Sequence, residues 1–114
     1  MHEYSLVEAL VRRVEAEARR RGALQIHALT VSVGELAGVD PELFRTAYET
    51  FRAGTLCEKA ELRVVHHPAA WACPACGAAI ERGAVLRCPT CDEPAKLAEN
   101  SDALLLESID MEVP

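Results

Sequence analysis

Four cysteines, Cys73, Cys76, Cys88 and Cys91, fall into two Cys-x-x-Cys pairs, Cys73-Pro74-Ala75-Cys76 and Cys88-Pro89-Thr90-Cys91, separated by residues 77 to 87. Each pair can turn two thiolates toward one ion, and two pairs at this spacing complete a tetrahedral sulfur set that suits Zn(II). Four sulfurs leave no open position for water or substrate, so the role read from the donors is structural. Gly77 follows the first pair and gives the tight turn its backbone freedom, whereas the second pair is followed by Asp92. Two disulfides would need an oxidising compartment, and a catalytic dithiol would not need a second copy. The fifth cysteine, Cys57, has no neighbour at pair spacing and reads as a small semi-buried residue.

The N-terminus carries the second constellation. The amine of Met1, the amide nitrogens of His2 and Glu3, and the His2 ring nitrogen could supply four nitrogen donors in one plane. That geometry selects Ni(II) or Cu(II) over tetrahedral zinc. A histidine beside a frayed terminus can equally do nothing, and what argues against fraying is an amphipathic helix beginning at Ser5. No serine, histidine and carboxylate are marked out as a catalytic triad. His66 and His67 are adjacent and so point to opposite faces of a strand, and His27, on the face of Leu29, reads as a rim residue. An enzyme, whether a redox protein with iron at the cysteines or a metal hydrolase, is disfavoured.

The elements that must position these groups follow from periodicity. Ser5-Leu6-Val7-Glu8 is a capping-box pattern, and Leu6, Val7, Leu10, Val11, Val14 and Ala18 recur at helical spacing, predicting a helix over residues 6 to 21 capped by Gly22. Arg19, Arg20 and Arg21 read as its dipole-matched end instead of a binding patch. Residues 26 to 36 alternate as a strand with Leu29, Val31 and Val33 on one face. Asp40 before Pro41 caps a second helix running to about Ala53. Residues 61 to 67 give another strand with Leu62 and Val64 on one side, and residues 103 to 113 a last one with Leu105, Ile109, Met111 and Val113 sharing a face with Glu107. The prediction is an α+β fold, a small three-stranded sheet with two helices and an inserted zinc-ribbon lobe. Its expected division is residues 1 to 68 with 95 to 114 as one domain and residues 69 to 94 as the ribbon.

At 114 residues, one small core helped by a metal staple is expected. Lys+Arg 12 against Asp+Glu 18 gives a net charge of −6, which opposes attraction to a phosphate backbone. The ribbon adds only Arg82 and Arg87 among Glu81, Asp92 and Glu93, with the single Trp71 to stack on a base, so no nucleic-acid partner is expected. A ribbon module that binds a protein surface or a nucleic acid remains the alternative function. The opening residues hold no basic stretch leading into an apolar core, and no apolar run approaches the roughly 18 residues that span a bilayer, which predicts a cytoplasmic chain without a membrane partner.

Met1-His2-Glu3-Tyr4-Ser5 before an amphipathic helix, Val31-Ser32-Val33-Gly34-Glu35-Leu36, Gly54-Thr55-Leu56 with Ala60-Glu61-Leu62, the double cysteine pair, and Leu106-Glu107-Ser108-Ile109-Asp110-Met111-Glu112-Val113 together resemble the HypA/HybF family of hydrogenase maturation nickel metallochaperones. The resemblance covers essentially the whole chain. It implies a nickel site on His2 with the neighbouring backbone nitrogens and Glu3, near Asp40, and a structural zinc on Cys73, Cys76, Cys88 and Cys91. It further implies delivery of nickel to the large subunit of a [NiFe] hydrogenase, in partnership with a maturation GTPase. Whether one chain holds the nickel or a homodimer shares it is left open, as is service to urease.

Overall fold

The structure, a computed structural model, describes residues 2 to 81 and 85 to 114. Its elements in order are α1 (His2–Arg20), β1 (Gln25–Gly34), α2 (Pro41–Phe51), β2 (Glu61–His67), β3 (Trp71–Ala72), β4 (Ala79–Ile80), β5 (Lys96–Leu97) and β6 (Leu104–Glu112). They form an α+β fold with two separate three-stranded sheets, ordered β2-β1-β6 and β4-β3-β5. In the first, β2 runs parallel to β1 through the α2 crossover, and β6 returns antiparallel on the other side. The Cα radius of gyration is 17.9 Å, against about 13 Å for a compact chain of this length, because the second sheet stands away from the first.

The main core lies between the helices and one face of the large sheet. Val7, Val11 and Val14 of α1, Phe44 and Tyr48 of α2, and Ile26, Leu29, Val31 and Val33 of β1 are fully buried in it. The Tyr48 hydroxyl donates to the Ala60 carbonyl at 2.8 Å, satisfying a group that could not otherwise be buried. Burial also raises the Tyr48 phenol well above its ordinary range.

Helix α1 begins at His2, four residues before the start expected from the Ser5–Glu8 pattern. Tertiary contacts extend it: the Tyr4 ring meets Phe51 edge-on at 5.5 Å, and Glu3 is held by α2's cap. Glu8, the expected capping partner, instead pairs with Arg12 at 3.0 Å. At the other end Arg19 pairs with Glu15 and Arg20 and Arg21 with Glu17, so the arginine run is indeed a neutralised helix end.

Two register shifts correct the strand faces. One between Ile26 and Ala28 bulges His27 out of the core face, so Ile26 and not His27 shares it with Leu29. The other, across Leu106 and Ser108, leaves Glu107 without an opposite residue and inverts the alternation of β6. The inward residues are therefore Leu104, Leu106, Ile109 and Met111, while Leu105, expected inside, is 38% exposed, and Val113 lies beyond the strand. Strand β1 ends at Gly34, two residues before the expected 36, where the chain turns toward Asp40.

Candidate metal centres

The cysteines are brought together by two hairpin-like turns built to one plan. In the first, the Gly77 N–H donates to the Cys73 carbonyl and the Cys73 N–H to the Ala78 carbonyl, both at 2.9 Å. In the second, the Asp92 N–H donates to the Cys88 carbonyl and the Cys88 N–H to the Glu93 carbonyl, again at 2.9 Å. Gly77 and Asp92 occupy the same left-handed position, φ 77° and 56°. Aspartate tolerates that conformation better than most side-chain-bearing residues, so the second turn forms without a glycine.

All four Sγ atoms lie within 4.8 Å of one another, and Cys76 Sγ is 3.8 Å from Cys88 Sγ. A tetrahedral ion with Zn–S bonds of about 2.3 Å sets its sulfurs about 3.8 Å apart, so the donor set and spacing fit zinc. The 3.8 Å between the Cys76 and Cys88 sulfurs is the separation of two ligands on one ion, far beyond the about 2.05 Å of a disulfide bond. Cys73 and Cys88 are buried with Ile80, and Trp71 packs on this small cluster instead of facing outward as a stacking platform. The backbone N–H groups of Cys91 and Thr90 pull the Cys88 thiol down to about 7, while hydrogen bonding with Cys76 and burial push Cys91 up to about 12. One thiolate is favoured and the next resisted, which is the electrostatics of a site that wants a cation among its sulfurs.

The N-terminal groups converge over a long sequence distance. The Glu3 side chain reaches α2's cap, where its Oε2 accepts the Asp40 N–H at 3.2 Å. This bond is the main cause of a Glu3 carboxyl below its ordinary range. His2 Nδ1 lies 3.8 Å from the same oxygen. The His2 side chain is 60% exposed and that of Glu3 15%, so the imidazole is reachable while the carboxylate is anchored. Asp40 uses Oδ1 to accept the N–H groups of Glu42 and Leu43 at 2.9 and 3.2 Å, the N-cap that its sequence position predicted. The structure thus brings His2, Glu3 and Asp40 to one place. The Met1 amine, expected as a fourth donor, lies outside the described residues, as does Arg82.

The other reactive candidates are accounted for locally. Cys57 is fully buried beside Tyr48, and burial pushes its thiol up to about 11, which makes it inert. His27 is exposed, with Nε2 at 3.4 Å from Glu112 Oε1. Arg87 in the ribbon is paired with Asp92 at 3.1 Å and is not free to meet a phosphate. The Glu3–Asp40 contact is the piece that sequence reading left vague, because nothing local links residues 37 apart.

Comparison with known proteins gives the chain its family. The family described as hydrogenase/urease nickel incorporation, metallochaperone, hypA matches residues 1–111. The chain belongs to the HypA family. Among HypA relatives, the hydrogenase maturation factor HypA of Shewanella sp. (strain MR-7) is 36% identical over 115 residues, covering 98% of this chain and 96% of the relative. That of Aquifex aeolicus is 34% identical over 114 residues, covering 99% of each. The solution structure of the Ni metallochaperone HypA from Helicobacter pylori superposes with a TM-score of 0.69 at 28% identity, covering 98% of both chains. A second HypA solution structure gives a TM-score of 0.77 at 30% identity, covering 97% of this chain and 96% of the other. Membership makes the family role, nickel incorporation by a metallochaperone, the frame for the site. Among the described residues, no helix is long and apolar enough to cross a membrane.

Proposed function

We propose that this chain binds Ni(II) at its N-terminus and delivers it during maturation of a [NiFe] hydrogenase. The ion is the cargo. Its donors are the His2 imidazole, the Met1 amine, the backbone amides of His2 and Glu3, and Glu3 itself, with Asp40 beside them. The observation that carries the reading is the Asp40 N–H bond to Glu3 Oε2, which ties the first turn of α1 to the cap of α2. Because α1 starts at His2, the amides of His2 and Glu3 belong to its first turn, in the same short stretch as the imidazole.

The chemistry of such a site suits transfer. Planar nitrogen donors favour Ni(II), while the thiolates of the ribbon favour zinc, so the two ions sort themselves between the centres. An exposed imidazole lets the ion exchange without opening a core, and protons compete for that nitrogen in mild acid. In the ribbon, Cys73, Cys76, Cys88 and Cys91 would hold zinc, which when bound cross-links the two turns and supplies no reaction chemistry. A division of the chain into a nickel-binding body and a cysteine ribbon is part of the same proposal, with the ribbon running past the expected residue 94 to include β5, which pairs with β3. So are a maturation GTPase and the hydrogenase large subunit as partners, a cytoplasmic setting and the absence of a catalytic step. The pairing of Arg87 with Asp92 and the net charge of −6 weigh against the nucleic-acid alternative.

Metal analysis of protein purified with its native start, before and after addition of nickel, tests the reading. The expected result is one zinc per chain throughout and nickel only after addition. Nickel taken up solely in place of zinc would refute it.

A further inference from the structure

Three consecutive residues at the end of β1, Gly34, Glu35 and Leu36, hold both legs of the cysteine ribbon. On the incoming leg, the Glu35 N–H donates to the His67 carbonyl and the Glu35 Oε1 accepts the Ala69 N–H, each at 2.8 Å. On the outgoing leg, the Gly34 N–H donates to the Ala103 carbonyl and the Leu36 N–H to the Ser101 carbonyl, also at 2.8 Å. Gly34 approaches that leg so closely that a methyl group there would overlap the backbone of Asn100 and Ser101. The legs are tied to each other by the Ala98 N–H, which donates to the Ala70 carbonyl at 2.7 Å. Ala69 and Ser101 are both buried at this joint.

Of these contacts, the Glu35 carboxylate alone is a side-chain group. Pro68 has no N–H, so Ala69 carries the first donor after β2, and it must find an acceptor because it is buried. The ribbon sheet starts only two residues later, at Trp71. The direction in which the ribbon leaves is therefore decided where Glu35 grips the chain. We propose that Glu35 is the positioning residue of the ribbon, its carboxylate latching Ala69 so that the cysteine centre is carried rigidly on the large sheet. The inference is independent of where nickel binds. It does place the ribbon's mount in the loop whose other end, Asp40, holds Glu3.

The test uses the full zinc-loaded chain, with amide exchange at Ala69 and 15N relaxation of both sheets. Wild type should show one rotational correlation time for both. In Glu35→Ala, exchange at Ala69 should rise on the order of tenfold, the equivalent of one hydrogen bond to a charged group, and the ribbon should tumble faster than the large sheet. Zinc content and helical signal should not change. Glu35→Gln keeps an acceptor oxygen and should behave as wild type, a rescue that a general loss of stability would not give. Gly34→Ala, acting on the outgoing leg, should also loosen the ribbon. If Glu35→Ala does not fold, Glu35→Asp, whose carboxylate stops one methylene short, carries the same reading. Unchanged exchange and common tumbling in the Ala or Asp variant, or a Gln variant as loose as Ala, would overturn the proposal.

Discussion

The two candidate metal centres are assembled in opposite ways. The cysteine quartet is made by two short turns of the same design, each closed by hydrogen bonds between residues four or five apart, and its sulfurs surround one point on all sides. The N-terminal group joins His2 and Glu3 to Asp40 across most of an element pair, and its imidazole stays open to solvent. A site enclosed by four donors retains its ion, and a site on an exposed terminus can give its ion up. Placed in one chain, two such sites would separate, on the proposed reading, a permanent structural metal from a transferable one.

The largest expected effect tests the enclosed site. Cys76→Ser removes one sulfur from a closed tetrahedron, and since a structural zinc contributes on the order of 10 kcal/mol to folding, zinc should be lost and the segment between β3 and β5 disordered. The helices and the large sheet should persist by circular dichroism, and nickel should still bind. Loss of nickel binding in this variant would mean that the centres are not separate.

A middle-sized effect belongs to the scaffold common to both. Tyr48→Phe removes the donor to the Ala60 carbonyl, which retains the Arg52 Nη1 bond at 2.9 Å. A cost of about 1 kcal/mol, or roughly 4–8 °C in Tm, is expected with both metal stoichiometries intact.

The smallest effect is electrostatic. Arg20 and Arg21 hold the half-exposed Glu17 carboxyl down to about 2, from an ordinary 4.5. A carboxyl depressed in the folded state adds stability above its unfolded value, and that contribution is lost as the pH falls toward 2. The pairs are screened by solvent, so Glu17→Gln should lower stability only slightly at neutral pH and leave it unchanged near pH 2. Denaturation at the two pH values checks the sign.

What was legible in the sequence divides along the same line. The quartet, both helices, the Asp40 cap and β2 follow from local rules of spacing, capping and periodicity, and the cysteine turns needed no knowledge of the rest of the chain. The early start of α1 was hidden because Tyr4 and Glu3 extend it through contacts with Phe51 and Asp40, which no local pattern encodes. The bulges at His27 and Glu107 were hidden because one extra residue inverts a period of two without any change in composition. The parallel pairing of β1 with β2 is likewise a property of the α2 crossover and not of either strand.

The terminal nickel site is tested most directly by calorimetry with Ni(II) on three forms of the zinc-loaded chain: native start, two residues added before Met1, and His2→Ala. The extended chain loses the Met1 amine as a donor and the variant loses the imidazole. Removing either breaks the same chelate, so both should lose affinity by on the order of 10²-fold or more, as loss of one ligand or its supporting group does in metal sites, with zinc content unchanged. Equal nickel affinity in all three forms would contradict the account and move the nickel away from the N-terminus.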